Sequence, residues 1–125
     1  MILGIGTDIT KVSRFTKWVE NPELIERFFN KAELKKSSNV KALCEHYAAR
    51  FAAKEAFSKA LGTGITGFSL KDVYIRNEDS GRPVLCVQNS AAKLLEQLCG
   101  SCSLNVSLSH EKEFAIAFVI IEKES

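Results

Sequence analysis

The stretch from Val40 to Leu61 constrains this chain more than any other part of it: apolar residues recur at helical spacing, and neither glycine nor proline interrupts them before Gly62. The pattern predicts the longest helix of the protein, a rod of about six turns. A chain of 125 residues, 46% hydrophobic and 26% charged, has material for one core and no room for a second, so residues 1–125 are expected to wrap that rod as a single domain.

The flanking segments read as a mixture of strands and short helices. Ile2 to Ile9 reads as a strand with Leu3, Ile5, Thr7 and Ile9 on one face and Gly4, Gly6 and Asp8 on the other. The glycine face is nearly bare, which leaves space for a backbone or a ligand to approach, with Asp8 as the polar side chain at the end of that space. Asp8 as a mere cap or turn residue is the plainer alternative. Ser13 is expected to cap a helix through about Glu20, Asn21 with Pro22 to start a second, and Asn30 to cap a third ending before Ser37. Val73 to Arg76 and Pro83 to Val87 read as a hairpin around the turn-rich Asn77 to Arg82. Asn89 is expected to cap a helix stopped by Gly100, with Leu94, Leu95 and Leu98 facing inward. Two strands follow: Leu104, Val106, Leu108 and His110 alternate with Ser103, Asn105, Ser107 and Ser109, and Phe114 to Ile121 is apolar enough to suggest completion by another subunit.

The chemistry concentrates on the long helix. At about 100° per residue, Glu55 falls within roughly 40° of Phe51, so a carboxylate sits on an apolar stripe and needs a cation, a metal or a raised pKa. Lys59 lies one turn on, and an i, i+4 salt bridge explains the pair as well as catalysis does. Arg50, Lys54 and Ser58 follow at four-residue steps on the adjacent strip, so the helix offers three cations and a hydroxyl beside the carboxylate. A phosphorylated ligand satisfies that set. Gly62-Thr63-Gly64 follows at once, with a backbone free to approach phosphates closely.

Several familiar sites are excluded. No Gly-Lys-Ser or Gly-Lys-Thr follows the glycines, Gly4-Ile5-Gly6 lacks a third glycine, and His110-Glu111-Lys112-Glu113 lacks the second histidine of a zinc protease. A formal charge of +2 does not announce a nucleic-acid binder. Between Lys11 and Lys41, however, Arg14, Lys17, Arg27, Lys31, Lys35 and Lys36 outnumber Glu20, Glu23, Glu26 and Glu33, which suits an acidic protein partner if it is more than a solvated face. Of four cysteines, Cys99 and Cys102 form one C-x-x-C pair without further zinc ligands, and reduced thiols are expected. Met1 to Ile9 has no signal-like pattern, and no window matches a membrane span; a cytoplasmic protein is expected.

Taken together, Gly4-Ile5-Gly6-Thr7-Asp8-Ile9 and the run Arg50-Phe51-Ala52-Ala53-Lys54-Glu55-Ala56-Phe57-Ser58-Lys59-Ala60-Leu61-Gly62-Thr63-Gly64-Ile65 resemble holo-acyl-carrier-protein synthases. The likeness extends through Arg27 to Leu34, Gly81-Arg82-Pro83 and Leu108-Ser109-His110. Lys11 departs from it, standing where many relatives look acidic, and Lys35 to Glu45 matches no pattern of the family.

The resemblance implies an α+β, 4'-phosphopantetheinyl transferase-like fold, one long helix packed with a small mainly antiparallel sheet, assembled as a homotrimer with sites at subunit interfaces. It further implies transfer of the phosphopantetheine arm of coenzyme A to a serine of apo-acyl carrier protein in fatty acid biosynthesis. Asp8 and Glu55 would hold Mg²⁺, Lys59 would stabilise the transferred or leaving phosphate, and Glu55 is also the candidate for activating the serine through a metal-bound water. Arg50, Lys54 and Ser58 would contact coenzyme A phosphates, with Gly62, Thr63 and Gly64 against the nucleotide and Pro83, Ser109 and His110 completing the pocket. Arg14 and Trp18 would receive an acidic carrier-protein helix. The alternative is a non-catalytic coenzyme A or nucleotide-binding module, which has little use for two metal-placed carboxylates.

Overall fold

The chain opens on strand β1 (Ile2–Lys11), passes a 3-10 turn at Val12–Phe15, and enters the one-turn helix α1 (Thr16–Val19), then α2 (Pro22–Phe28). A second 3-10 turn at Lys31–Glu33 precedes the long helix α3 (Val40–Leu61); a third, Leu70–Asp72, leads into β2 (Val73–Asn77) and β3 (Pro83–Val87). Helix α4 (Asn89–Cys99) and strands β4 (Cys102–His110) and β5 (Phe114–Lys123) complete the order. This computed structural model describes residues 1–64 and 66–124; Ile65, the last residue of the long family-like motif, lies outside them.

The architecture is α+β, as expected. One antiparallel sheet has the order β1-β5-β4, and β2 with β3 forms a separate hairpin. Strand β5 is therefore central and hydrogen-bonded along both edges, so its backbone needs no completion from another subunit. Its alternation instead sorts two faces: Ala115, Ala117, Val119 and Ile121 are buried, while Phe114 and Phe118 are exposed on the outer face. Ile5 and Ile9 of β1, at 61% and 62% exposure, continue that outer apolar face.

Two glycines decide how the sheet meets α3. A Cβ at Gly4 would collide with the Ala60 carbonyl, and one at Gly6 with the Ala56 carbonyl, so β1 rests directly on helix backbone. Ala52, Ala53, Ala56 and Ala60, all buried, keep the rest of that helix face low enough for the sheet. At the other end of α3, Phe15, Phe29, Tyr47 and Phe51 build an aromatic cluster.

Local signals set most helix ends. Asn21 accepts from the Leu24 amide with Pro22 in the first turn, Asn30 and Glu33 close a capping box, and Gly62 ends α3 at φ 82°. Ser13 does not cap: it sits inside the 3-10 turn whose shape is set by burying Val12 and Phe15, and α1 has no side-chain cap. Asn89 is the first residue of α4 at φ 44°, with Gln88 in the capping position and no side-chain bond. Helix α4 buries Ala91 and Leu95, one turn apart, and leaves Leu98 exposed. The turn at Gly100 brings the Cys99 and Cys102 sulfurs together across a Cα separation of 6.2 Å, near enough for the two thiols to be joined on oxidation. Cys44 and Cys86 are free.

Candidate active site

Alternation along β1 puts Asp8 on the same face as Gly4 and Gly6, where the first large side chain beyond the glycines meets α3. Lys59 answers it from the helix: its Nζ lies 3.2 Å from Asp8 Oδ1 and donates to the Thr7 carbonyl at 3.0 Å. The other carboxylate oxygen, Oδ2, accepts a 2.7 Å hydrogen bond from the Thr10 hydroxyl. Glu55–Lys59 is not among the ion pairs of the described residues, so the simple i, i+4 explanation does not hold; Lys59 belongs to Asp8. Burial first, and the nearby Asp8 charge second, push the Glu55 carboxyl above its ordinary range, while Lys59 and Arg14 oppose the shift. Two carboxylates from separate elements thus feel one another beside two cations. Asp8 and Lys59 line a shallow depression of about 350 Å³ together with Thr7, Ile9, Ile116 and Phe118, at the edge of the outer apolar face, and Glu55 lies outside that lining.

Among the described residues, no group of three or more His, Cys, Asp or Glu side chains could hold a metal ion alone. The pair fits a hard cation that draws its remaining ligands elsewhere, because Mg²⁺ takes one or two carboxylates together with phosphate and water oxygens. The ammonium of Lys59 at Asp8 Oδ1 already marks that oxygen as a place for positive charge.

A larger cleft, about 460 Å³, lies toward the other end of α3. Arg50, Pro83 and His110 line it, together with Lys35, Glu45, His46 and Asn77. Arg50 donates to the His46 carbonyl at 3.3 Å and to Asn77 Oδ1 at 2.8 Å, and among the described residues its buried Nε has no partner. His110 Nδ1 stands 2.9 Å from Glu45 Oε2. His46 Nε2 is 2.6 Å from the Glu33 carbonyl, so the neutral ring carries its proton there. Burial above all, helped by Arg50, lowers the His46 pKa to about 4, against the opposing Glu33 hydrogen bond.

The site residues expected from sequence separate into groups. Arg50 and Lys59 are nine positions apart on α3, about 13 Å of helix. Within one chain the large cleft and the Asp8–Glu55–Lys59 group are distinct surfaces. Gly62, Thr63 and Gly64 form the exposed exit from α3, where the Thr63 hydroxyl donates to the Gly64 carbonyl at 3.0 Å. Ser109 is exposed, but alternation along β4 turns it to the opposite face from His110 and it does not line the cleft.

Two expected phosphate contacts are corrected. Lys54 is fully buried, and its ammonium donates to Glu33 Oε1 at 2.6 Å and to the carbonyls of Leu70 and Val73 at 2.9 and 2.6 Å. All three of its donors are used. Ser58 is 1% exposed, and its hydroxyl donates to the Glu55 carbonyl at 2.6 Å. Neither side chain is available to a ligand at the surface. Trp18 is half-buried among Phe15, Phe28, Phe29 and Phe51, whereas Arg14 is exposed with its guanidinium 4.8 Å above the Phe51 ring and 5.9 Å from that of Trp18.

Sequence reasoning passed over Glu45, His46, Lys35 and Asn77. A signal for part of this set existed: Ala42, Glu45, His46, Ala49 and Arg50 recur at one-face helical spacing and line the cleft together. Thr10 had its period-2 relation to Asp8 as a clue. Glu33 had only its capping-box position.

Comparison with known proteins identifies the class. The model of the 4'-phosphopantetheinyl transferase superfamily matches residues 4–119, and the chain belongs to that superfamily. Among full-length relatives, the holo-[acyl-carrier-protein] synthase of Treponema denticola is 50% identical, with 98% of this chain and 99% of that one covered. That of Treponema pallidum is 41% identical over 99% and 98%. The crystal structure of a Bacillus anthracis holo-(acyl-carrier-protein) synthase in complex with CoA (3',5'-ADP) superposes with a TM-score of 0.79 at 37% identity, covering 99% of each chain. The Helicobacter pylori enzyme in complex with coenzyme A gives 0.78 at 31%, covering 94% of this chain and 99% of that one.

Proposed function

We propose that this protein transfers 4'-phosphopantetheine from coenzyme A to a serine of apo-acyl carrier protein, giving holo-acyl carrier protein and 3',5'-ADP. The serine oxygen forms a bond to the pantetheine-side phosphorus, the bond from that phosphorus to the bridging oxygen breaks, and 3',5'-ADP leaves with the electron pair. The observation that carries this reading is the convergence of Asp8, Glu55 and Lys59 in a chain whose full-length relatives are named for that activity.

Asp8 and Glu55 would hold Mg²⁺, which when bound supplies positive charge at the pyrophosphate. Lys59, exposed over more than half its side chain at 54%, reaches the same place and supplies an ammonium to the phosphate oxygens. Glu55 would also help to draw off the serine proton through an intervening water. Arg50, Pro83 and His110 would receive the nucleotide end of coenzyme A in the larger cleft. The exposed glycine-flanked exit at Gly62 to Gly64 would lie along the ligand, with Ser109 reaching it from a neighbouring subunit.

Separation of the two surfaces within one chain supports a homotrimer in which adjacent subunits combine them, and the exposed Ile5, Ile9 and Phe118 provide an apolar face for that contact. Arg14 would steer the acidic carrier helix toward Asp8. Among the described residues no helix is long and apolar enough to cross a membrane; a cytoplasmic enzyme serving fatty acid biosynthesis is the setting that the proposed transfer implies.

The test is the intact mass of apo-acyl carrier protein after incubation with the purified protein, coenzyme A and Mg²⁺. A phosphopantetheine-sized increase, lost in both Asp8→Ala and Glu55→Ala, is the expected result. Coenzyme A binding without any increase in carrier mass would instead indicate a non-catalytic binding module.

A further inference from the structure

Thr10 is two residues beyond Asp8 on the same face of β1, 4% exposed, and its hydroxyl donates to Asp8 Oδ2 at 2.7 Å. A carboxylate accepts and never donates, so the direction of this bond is fixed. The two oxygens of Asp8 thereby take different partners: Oδ2 faces inward to Thr10, and Oδ1 faces the helix, where the Lys59 ammonium stands at 3.2 Å. Without the hydroxyl, the Asp8 carboxylate would be free to rotate out of the orientation that presents one oxygen to the helix.

We infer that Thr10 is the positioning residue of Asp8: its hydroxyl holds Oδ2 and so reserves Oδ1 for positive charge, whether the Lys59 ammonium or a divalent cation shared with coenzyme A. This rests on the proposed metal role of Asp8. Its physical basis is general, since hydrogen bonds that orient a metal-binding carboxylate contribute about 10- to 100-fold to affinity. The fold places few demands on the hydroxyl, because valine has the same branched shape and suits a buried strand. Thr10→Val therefore removes one hydrogen bond and little else.

The experiment titrates Mn²⁺ into the full-length protein with saturating coenzyme A, following free Mn²⁺ by electron paramagnetic resonance, for wild type, Thr10→Val, Thr10→Ser and Asp8→Ala, with thermal midpoints recorded alongside. The expected result is Mn²⁺ affinity about tenfold weaker in Thr10→Val, within about twofold of wild type in Thr10→Ser, and Mn²⁺ binding lost in Asp8→Ala, with Thr10→Val still cooperatively folded at the titration temperature. Thr10→Val binding Mn²⁺ like wild type, while Asp8→Ala does not, would overturn the inference and leave the metal reading intact. Equal weakening in Thr10→Val and Thr10→Ser would also overturn it, because packing and not the hydroxyl would be responsible. Unchanged Mn²⁺ affinity in Asp8→Ala would overturn the metal reading and this inference with it.

Discussion

Lys54 donates to Glu33 Oε1 at 2.6 Å, both side chains being almost wholly buried at 1% and 0% exposure. Glu33 uses its remaining capacity on the amides of Asn30 and Ile75, so one pair ties α3, the second 3-10 turn and β2 together. Burial depresses the Lys54 pKa and the Glu33 carboxylate opposes the shift, a balance that requires both partners. Removing one leaves an uncompensated buried charge, so Lys54→Met should destabilise the fold by about 3–5 kcal/mol. Urea unfolding measures this directly. A near-native midpoint combined with a tenfold rise in KM for coenzyme A would instead make Lys54 a ligand contact.

His46 gives the fold an acid limit. Its folded-state value of about 4 lies below the ordinary 6.5, so the unfolded chain binds a proton first as pH falls. The contribution of the neutral, hydrogen-bonded ring is fully present above about pH 6.5 and is lost progressively toward pH 4. Arg50 and Lys35 face the ring and disfavour its charge, while the Glu33 carbonyl accepts its Nε2 proton. Compared with His46→Phe, the wild-type protein should lose on the order of 2 kcal/mol of stability between pH 7.5 and 4.5. Parallel pH dependences for the two proteins would contradict this.

Arg14 and Trp18 should act as one unit on the carrier protein. The guanidinium sits over Phe51 and near Trp18, so the indole is a shelf for the cation more than a surface of its own. Arg14→Ala should raise the carrier KM and flatten its salt dependence. Trp18→Leu should raise the KM by about fivefold in wild type and hardly at all once Arg14 is alanine, given the strength of an exposed cation–π contact. Additive effects in the double variant would mean that Trp18 touches the carrier itself.

The outer sheet face carries the prediction about assembly. Ile5→Lys or Phe118→Lys places charge on a face already exposed in the single chain, so the single chain should stay cooperatively folded and lose only the stability that subunit association adds. Sedimentation should show a trimer for the unmodified protein and a monomer for either variant, with transfer lost in the monomer. An active monomer would refute an interfacial site.

Elements announced by neighbours in the sequence were legible. Asn21-Pro22, Asn30 with Glu33, and the run closed by Gly62 are local signals, and they coincide with the observed helix ends. Asp8 and Glu55 stood out because each interrupts a regular face. Lys54 and Ser58 were misread for a physical reason: helical spacing reports which residues share a strip, but not what covers that strip. The covering groups, Glu33 and the carbonyls of Leu70 and Val73, come from elements 16 to 21 residues away. The same limit hid the division between the two surfaces, because a strip continuous along α3 turns one end toward the hairpin and the other toward β1.

Gly4 and Gly6 make β1 and α3 a gauge. Where a strand rests on helix carbonyls, the gap between layers is set by atoms that every amino acid shares, so changes in core side chains elsewhere do not propagate into the spacing between Asp8 and Glu55. Hydrophobic residues behind the sheet are therefore free to diverge while the reacting geometry stays fixed. Positions 4 and 6, with the small residues Ala52, Ala53, Ala56 and Ala60 opposite the sheet, set that gap, and a larger side chain at any of them can only widen it.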